Sequence, residues 1–574
     1  MTNSIFKRTR LKRNRLLKQF IPLLSLLLAI SSGVFAEPAK IQPSTPKEGA
    51  PGIAQADPVL RALQAEMDRS KAKLRLENSP APYFIGYRVV DIDNWEADAA
   101  LGGVRSESHT RIRFLMVQVR LGDYKQDNSS PRGDGSVEIV PLDSDEHAIR
   151  RQVWTATDKA YKQAVEALTA KQAKLKQLTI DHPVDDFARA AAVESLQPPA
   201  ELKVEREPWL AMLRDASSLY KRDPKVQFLQ ASLNFSAVNR YYVNSEGTVV
   251  RGGVELYRML VAGNTQAEDG MQLDRSMEIT AKSVRELPKP AEFQARAAEI
   301  VDTLKQLREA PLADEEFHGP VLLSADAAST VISSLVGDNL LGFKPELGQN
   351  ARVHGHFASS YKSRVLPEFL SIVDDPTLAE FDGTSLLGHY AVDDEGVAAQ
   401  RVPVIEKGVL VSYLMGRQPI RDFPASNGHA RASLPLSWPA PAMGNLVVNA
   451  SNPVAADELK KKLVAMCKER GLDYGYYAKS LGGPREPRML YRVWAKDGHE
   501  ELVRGALFGD LDQRSMRSSI VAAGNDVFVD NEIQPSPHSV VSPSILFDDL
   551  EVKRQTADKD KLPEYPAPED AAAK

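Results

Sequence analysis

"GPVLLSADAASTVISSLVGDNLLG", residues 319–342, joins two patterns of different period. The apolar run around Val321–Leu323 reads as a buried strand. It enters "TVISSLVGDNLLG" (330–342), which reads as a short amphipathic helix ending at a glycine. Outward from this unit, residues 316–555 alternate short strands and turns with few helices. "VPVIEKGVLVSYLMG" (402–416) reads as strand, turn at 406–408 and second strand; "GNDVFVD" (524–530) and "SPSILFDDLEVKR" (542–554) supply further strands.

Residues 57–310 form a second unit. "DPVLRALQAEMDRSKAKLRL" begins a helix, with Asp57 as N-cap and Pro58 at the first helical position. Val, Ile, Tyr and Phe with turn punctuation over 83–124 predict paired antiparallel strands. Residues 154–178 give the strongest helical pattern, with Ala160, Val165, Leu168 and Leu175 on an irregular apolar stripe. Strands return over 226–285 with a hairpin turn at "NSEG" (244–247), and a helix from Pro290 to Glu309 closes the half. The fold class is α+β, two halves of mainly antiparallel sheet flanked by helices.

The ends read differently. "KRTRLKRNRLLK" followed by "FIPLLSLLLAI" and small residues at Val34 and Ala36 predicts a signal peptide over 1–36. The expected destination is the periplasm or the extracellular space, with no integral membrane segment after cleavage. Residues 37–56 read as a disordered leader and 556–574 as a flexible tail. Of 72 Lys/Arg in the whole chain, seven lie in the signal, so the mature chain carries 65 against 77 Asp/Glu, a formal charge of −12. This balance excludes nucleic acid as the expected partner, because counterion release rewards a basic surface. Cys467 is the only cysteine, so no intramolecular disulfide forms. It shares a helix face with Leu459 and Leu463 and reads as a buried thiol.

"YYVNSEGT" (241–248), "GPVLLSADAAS" (319–329), "SIVDDPTL" (371–378), "DDEGVAAQRVPVIEKGVLVSYLMG" (393–416), "NGHAR" (427–431), "GND" (524–526) and "SPSILFDDLEV" (542–552) occur in an order that resembles the TldD/PmbA family of metallopeptidases, once called modulators of DNA gyrase. The likeness covers roughly residues 57–553. A helical insert near 130–215 and the signal resemble an exported branch of the family.

The resemblance implies a His-Glu-x-x-x-His motif after the "GPV" strand and a later cysteine, together holding zinc. Two imidazoles and a thiolate suit that metal, and the glutamate activates its water. Here Ser333 and Asp338 stand at the histidines and Ser334 at the glutamate, while Gly337 is retained. The segment "NEIQPSPHSVVSPS" (531–544) contains no cysteine. Five positions are about 500° of a regular helix, so the two ligand positions face one way only across a local bulge. The expectation is therefore a degenerate site without cofactor.

The sequence offers other constellations. His354 and His356 have the spacing of two zinc ligands on one strand face, with His389, His429 or His538 as a third. This ligand set is the alternative reading, an active metallopeptidase. Ser333 and Ser334 have no identifiable base for nucleophilic work, and Asp374–Asp375 and Asp393–Asp394 read as turn residues. The resemblance also implies dimers around a cavity that admits extended peptide. The expected partners are thus a second copy or a catalytic paralogue, and an extended peptide. The apolar run 402–414 adds to the dimer expectation if it forms an open sheet edge.

Overall fold

The computed structural model describes residues 57–568, apart from 76–78, 130–134, 181, 350, 434–436, 557–559 and 566. The expected signal peptide and leader lie outside the described residues, as does part of the tail.

Helix α1 (Pro58–Lys73) begins as its sequence dictates: the Asp57 carboxylate accepts the Val59 and Leu60 N–H groups, with Pro58 in the first turn. Strands β1 (Phe84–Ala100) and β2 (Gly103–Arg120) form one long hairpin. β3 (Ser136–Val140), helix α2 (Glu146–Leu175), the short β4 (Glu194–Leu196) and helix α3 (Arg206–Ser218) follow. The insert is thus not purely helical, since β3 pairs with β2. α2 starts earlier than its apolar stripe suggests because Asp145 caps it, accepting the His147 and Ala148 N–H groups.

β5 (Val226–Asn244) and β6 (Val249–Gln266) enclose the expected turn. The Asn244 side chain accepts the Glu246 and Thr248 N–H groups at 3.0 and 3.1 Å, and Gly247 takes a φ of +104° that favours glycine. With β7 (Gln272–Ala281) the sheet runs β3-β2-β1-β5-β6-β4, β7 also pairing with β6. Helix α4 (Pro290–Glu309) has the expected limits.

The C-terminal half holds two larger sheets. One takes the order β15-β14-β13-β8-β20-β16, with β17 on β20. Its strands are β8 (Glu316–Leu323), β13 (Tyr474–Gly483), β14 (Glu486–Trp494), β15 (Glu500–Val503), β16 (Ala506–Phe508), β17 (Ile520–Ala523) and β20 (Ile545–Arg554). The other takes the order β11-β10-β9-β12-β19-β18, from β9 (Leu370–Asp374), β10 (Val402–Glu406), β11 (Val409–Leu410), β12 (Leu446–Ala450), β18 (Phe528–Glu532) and β19 (His538–Ser542). Pairing is antiparallel except at β4–β6, β8–β13 and β12–β19. The α+β expectation is met.

Val321, Ile332, Val336, Leu446, Val540 and Phe547 share the main core of this half. Each such side chain contributes about 1.5–3 kcal/mol by leaving water. Val404, Ile405, Leu410 and Tyr413 belong to the same core. The 402–414 run is therefore covered within its own chain, which corrects its reading as an exposed apolar edge.

Cys467 lies buried on α6 (Ala456–Arg470) beside Leu459 and Leu463, and burial pushes its thiol up to about 11. Such a thiol packs and does not react. The tail is not wholly free: the Asp560 N–H donates to the Gly270 carbonyl at 3.1 Å, and Gln266 Nε2 donates to the Asp560 carbonyl. Among the described residues no helix is long and apolar enough to cross a membrane.

Candidate functional site

β8 delivers the chain into helix α5 (Ala325–Val331), whose first turn is capped by Ser324; its Oγ accepts the Ala327 N–H at 3.1 Å. The regular helix stops there. Ile332–Val336 form a π-turn, with the Gly337 N–H reaching back to the Ile332 carbonyl, and Gly337–Asn339 close the segment as a 3₁₀ turn. This corrects the reading of 330–342 as one amphipathic helix. The wider turn keeps Ile332 and Val336 in the core while Ser333, Ser334 and Leu335 remain partly exposed. It also supplies the bulge that a five-residue ligand spacing requires, at the positions occupied by Ser333 and Asp338. Gly337 is needed for close approach: a Cβ there would stand 2.4 Å from the Met443 sulfur.

α5 packs against β13, β18 and β19, and β18 in turn contacts β7 of the N-terminal half. The Thr280 hydroxyl on β7 donates to the Asn531 carbonyl on β18 at 2.6 Å, tying the two sides together. Carboxylates crowd this contact. The Ser329 hydroxyl donates to Asp530 at 2.9 Å, yet loss of solvation and the nearby Asp326 and Glu278 push Asp530 up to about 6. Glu532 is pushed up to about 7 by desolvation first, then by Asp530, Glu278 and Asp338. Asp338 is raised by desolvation as well. Asp338 and Glu532 both touch solvent. Arg258 holds Glu278 through two bonds of 2.7 and 2.6 Å, and Arg275 and Arg488 offset the burial of Asp326.

Ser333 and Ser334 have no side-chain hydrogen bond among the described residues, so no base is aligned on either hydroxyl. His538 is the cross-strand partner of Glu532. It is buried, its Nε2 lacks a partner, and burial followed by the Arg431 charge lowers its pKa well below the ordinary value, leaving it neutral. His354 and His356 sit in an exposed turn around Gly355, not on a strand, so the expected shared face does not exist. His389 is exposed, its pKa lowered by desolvation and by Lys282. His429 is fully buried with Nε2 3.2 Å from Asp374.

Among the described residues, the one group of three metal-capable side chains within 4.8 Å is Glu316, His318 and Glu551, on the β8–β20 pair. It includes none of the positions singled out from the sequence. The residues at and after the π-turn do not fit a zinc site: Ser333, Ser334 and Asp338 offer two hydroxyls and one carboxylate, and the chain's single cysteine, Cys467, is buried on α6.

The paired acids divide. Asp375 and Asp393 are turn residues, accepting the Thr377 N–H and the Glu395 and Val397 N–H groups respectively. Asp374 is instead buried on β9, accepting the N–H groups of Gly444 and Asn445. Asp394 is a buried ion-pair centre joining the halves. Arg88 on β1 lies 2.9 Å away, Arg240 on β5 3.8 Å and Arg431 3.5 Å. Burial alone would raise Asp394; the three guanidiniums overcome this and hold it well below the carboxylate range. Sequence reasoning also missed Asp530 and Glu532, although acids alternating with Val529 and Asn531 were visible on the "FVDNE" strand.

Three comparisons bear on this arrangement. Residues 317–554 match the family model described as the PmbA/TldA metallopeptidase C-terminal domain. A protein named Metalloprotease from Archaeoglobus fulgidus is 29% identical over 201 residues, 34% of this chain and 41% of that relative. A Metalloprotease TldD homolog from Buchnera aphidicola is 24% identical over 249 residues, 41% of this chain and 47% of that relative. The matched region thus spans less than half the length of these relatives. Among solved structures, a proposed modulator of DNA gyrase from Thermotoga maritima superposes with a TM-score of 0.57 at 16% identity, covering 85% of this chain and 100% of the other. TldE from Thermococcus kodakarensis gives 0.54 at 12% identity, covering 86% and 99%. These identities establish a shared fold.

Proposed function

From the premise that the family model and the fold support a place in the TldD/PmbA family, we propose that this chain is an exported, TldD/PmbA-like protein with a degenerate metallopeptidase site, which holds extended peptide or serves as the partner of a catalytic relative. One observation carries the reading. The π-turn at Ile332–Val336 has the bulge that a five-residue ligand spacing needs, while its outward positions are Ser333 and Ser334 and Asp338 follows in the 3₁₀ turn. β18 is the end strand of its sheet, and an edge of that kind can hold an extended segment through backbone hydrogen bonds without any chemistry.

Elemental analysis and peptidase assays of the purified chain test the proposal together. The expected result is no stoichiometric zinc and no metal-dependent hydrolysis. Ser333→His combined with Asp338→His gives at best weak zinc binding, because the third ligand is also missing. Stoichiometric zinc lost on His354→Ala would replace this reading with the active metallopeptidase. Export is checked by N-terminal sequencing of protein from the cell envelope, expected to begin at Glu37. Assembly with a second copy or a catalytic paralogue is checked by sedimentation of the mature chain alone and with that relative; a chain that stays monomeric in both removes the partner role.

A further inference from the structure

Away from the π-turn, β8 and β20 bring together an imidazole and two carboxylates. Glu316 and His318 are two positions apart on β8, so their side chains leave the same face of the strand. Glu551 on β20 is the cross-strand partner of His318 and so lies on that face as well. One ligand atom from each of the three lies within 4.8 Å of the others. His318 Nε2 and Glu316 Oε1 are 3.2 Å apart. Donors around a tetrahedral zinc, each about 2.1 Å from it, stand about 3.4 Å from one another. That pair is thus already at the separation of two ligands sharing an ion. The third donor has to close from at most 4.8 Å to about 3.4 Å, a change within reach of its side-chain torsions.

The backbone leaves room for the third carboxylate. Gly509 follows β16 and its N–H donates to the Glu551 carbonyl at 2.8 Å; a Cβ on it would stand 1.8 Å from Glu551 Oε2. The Glu551 N–H in turn donates to Asp510 Oδ1 at 2.8 Å, which brings a further negative group alongside. Arg554 is drawn to Glu315 at 3.4 Å. Among the described residues Lys553 is the one ammonium or guanidinium in ion-pair contact with the triad, its Nζ 2.6 Å from Glu551 Oε1. A cation therefore already seats against this carboxylate, on a half-exposed flexible stem that can swing into water. A divalent ion brings twice the charge to the same oxygens and accepts the imidazole lone pair, which an ammonium cannot do.

We propose that Glu316, His318 and Glu551 form a divalent transition-metal site that clips the start of β8 to β20. An imidazole between two carboxylates suits zinc and its neighbours better than magnesium, which takes oxygen ligands in near-ideal octahedra. β8 rises about 3.3 Å per residue, so its two ends are about 23 Å apart, and the π-turn lies beyond the far one. The site does not rest on the degenerate-site reading. Its exposure and the competing lysine make it fill from added metal and empty into a chelator.

Calorimetric titration of the intact, EDTA-stripped chain with zinc chloride and with magnesium chloride tests this, alongside thermal melts with and without zinc. One zinc per chain is expected, with a melting midpoint that rises as the ion binds and no magnesium response at the same concentration. His318→Ala is expected to weaken zinc binding at least about tenfold and to remove the rise in midpoint. Lys553→Met, which removes the competing ammonium, is expected to tighten it. All three ligands reach solvent, so the metal-free midpoint is expected to stay in place. If His318→Ala lowers it, Glu551→Gln carries the same comparison.

Zinc binding that is absent, or that both ligand variants leave unchanged, overturns the site. Magnesium bound as tightly as zinc overturns it too, since that response needs only exposed acids. Zinc carried through purification and lost on His318→Ala, but not on His354→Ala, belongs to this site and leaves the reading of the π-turn intact. Zinc lost on His354→Ala alone overturns both.

Discussion

Two charged regions of this molecule, both between its halves, resolve their crowding in opposite ways. The region beside the π-turn gathers Asp326, Asp338, Asp530, Glu532 and Glu278, and a second junction gathers Arg88, Arg240 and Arg431 around Asp394. Desolvation first, and the neighbouring carboxylates after it, raise Asp530 to about 6 and Glu532 to about 7, and such groups relieve both by taking protons. Guanidiniums have no such exit. Even Arg240, pushed down to about 10 by burial with Arg431 and Arg88 adding to the effect, stays protonated at neutral pH. An acidic cluster can therefore neutralise itself, whereas an arginine cluster needs an anion from the protein or from outside it.

The largest expected effect comes from breaking the second region. Asp394→Asn leaves three buried or nearly buried guanidiniums without their carboxylate and is expected to destabilise the chain by about 3–5 kcal/mol. Denaturant midpoints measure this. Glu532→Gln, the matching change in the acidic region, is expected to be neutral or mildly stabilising because it removes a crowded charge. Equal losses from the two variants would erase the contrast between the regions.

The pH dependence of stability sharpens it next. Unfolded Asp and Glu titrate near ~4, below the folded values of about 6 and about 7 for Asp530 and Glu532. Across that interval the folded chain binds more protons than the unfolded chain, so these two groups make stability fall as pH rises from about 4 to about 7. Asp394 has the opposite sign. Its folded pKa is depressed, so its contribution is full above the unfolded value and is lost as pH falls toward the folded one. Asp530→Asn with Glu532→Gln is expected to flatten the decline between pH 4 and 7 and leave the acid limb in place. A double variant with the wild-type slope would show that these carboxyls ionise normally.

What the sequence disclosed follows the range of the forces involved. The Asp57 cap, the Asn244–Gly247 turn, the α4 limits and the Leu459–Leu463–Cys467 stripe are set by residues within a few positions of one another, and all are present. The Asp394 centre brings residues 88, 240 and 431 to residue 394, a convergence that no local pattern encodes. Asp393–Asp394 reads locally as a turn, and half of that pair is one. The 402–414 run was similarly ambiguous: its apolarity was legible, but whether a partner or the chain's own core covers it was not. The π-turn was visible only through the five-residue spacing of the family's ligand pair, since Ser333 and Asp338 leave no periodic mark of their own.

The smallest expected effect tests whether the π-turn retains any chemistry. Ser333 and Ser334 are partly exposed and hold no side-chain hydrogen bond among the described residues, so neither hydroxyl has a partner to lose. Ser333→Ala and Ser334→Ala are each expected to change stability by no more than about 0.5 kcal/mol. A serine nucleophile needs a base to take its proton, and the nearby acids are pushed toward their protonated forms without touching either hydroxyl. Side-by-side peptidase assays on the intact chain and the two variants decide the matter. Hydrolysis abolished by Ser334→Ala, at unchanged stability, would make this segment an active site of a different kind.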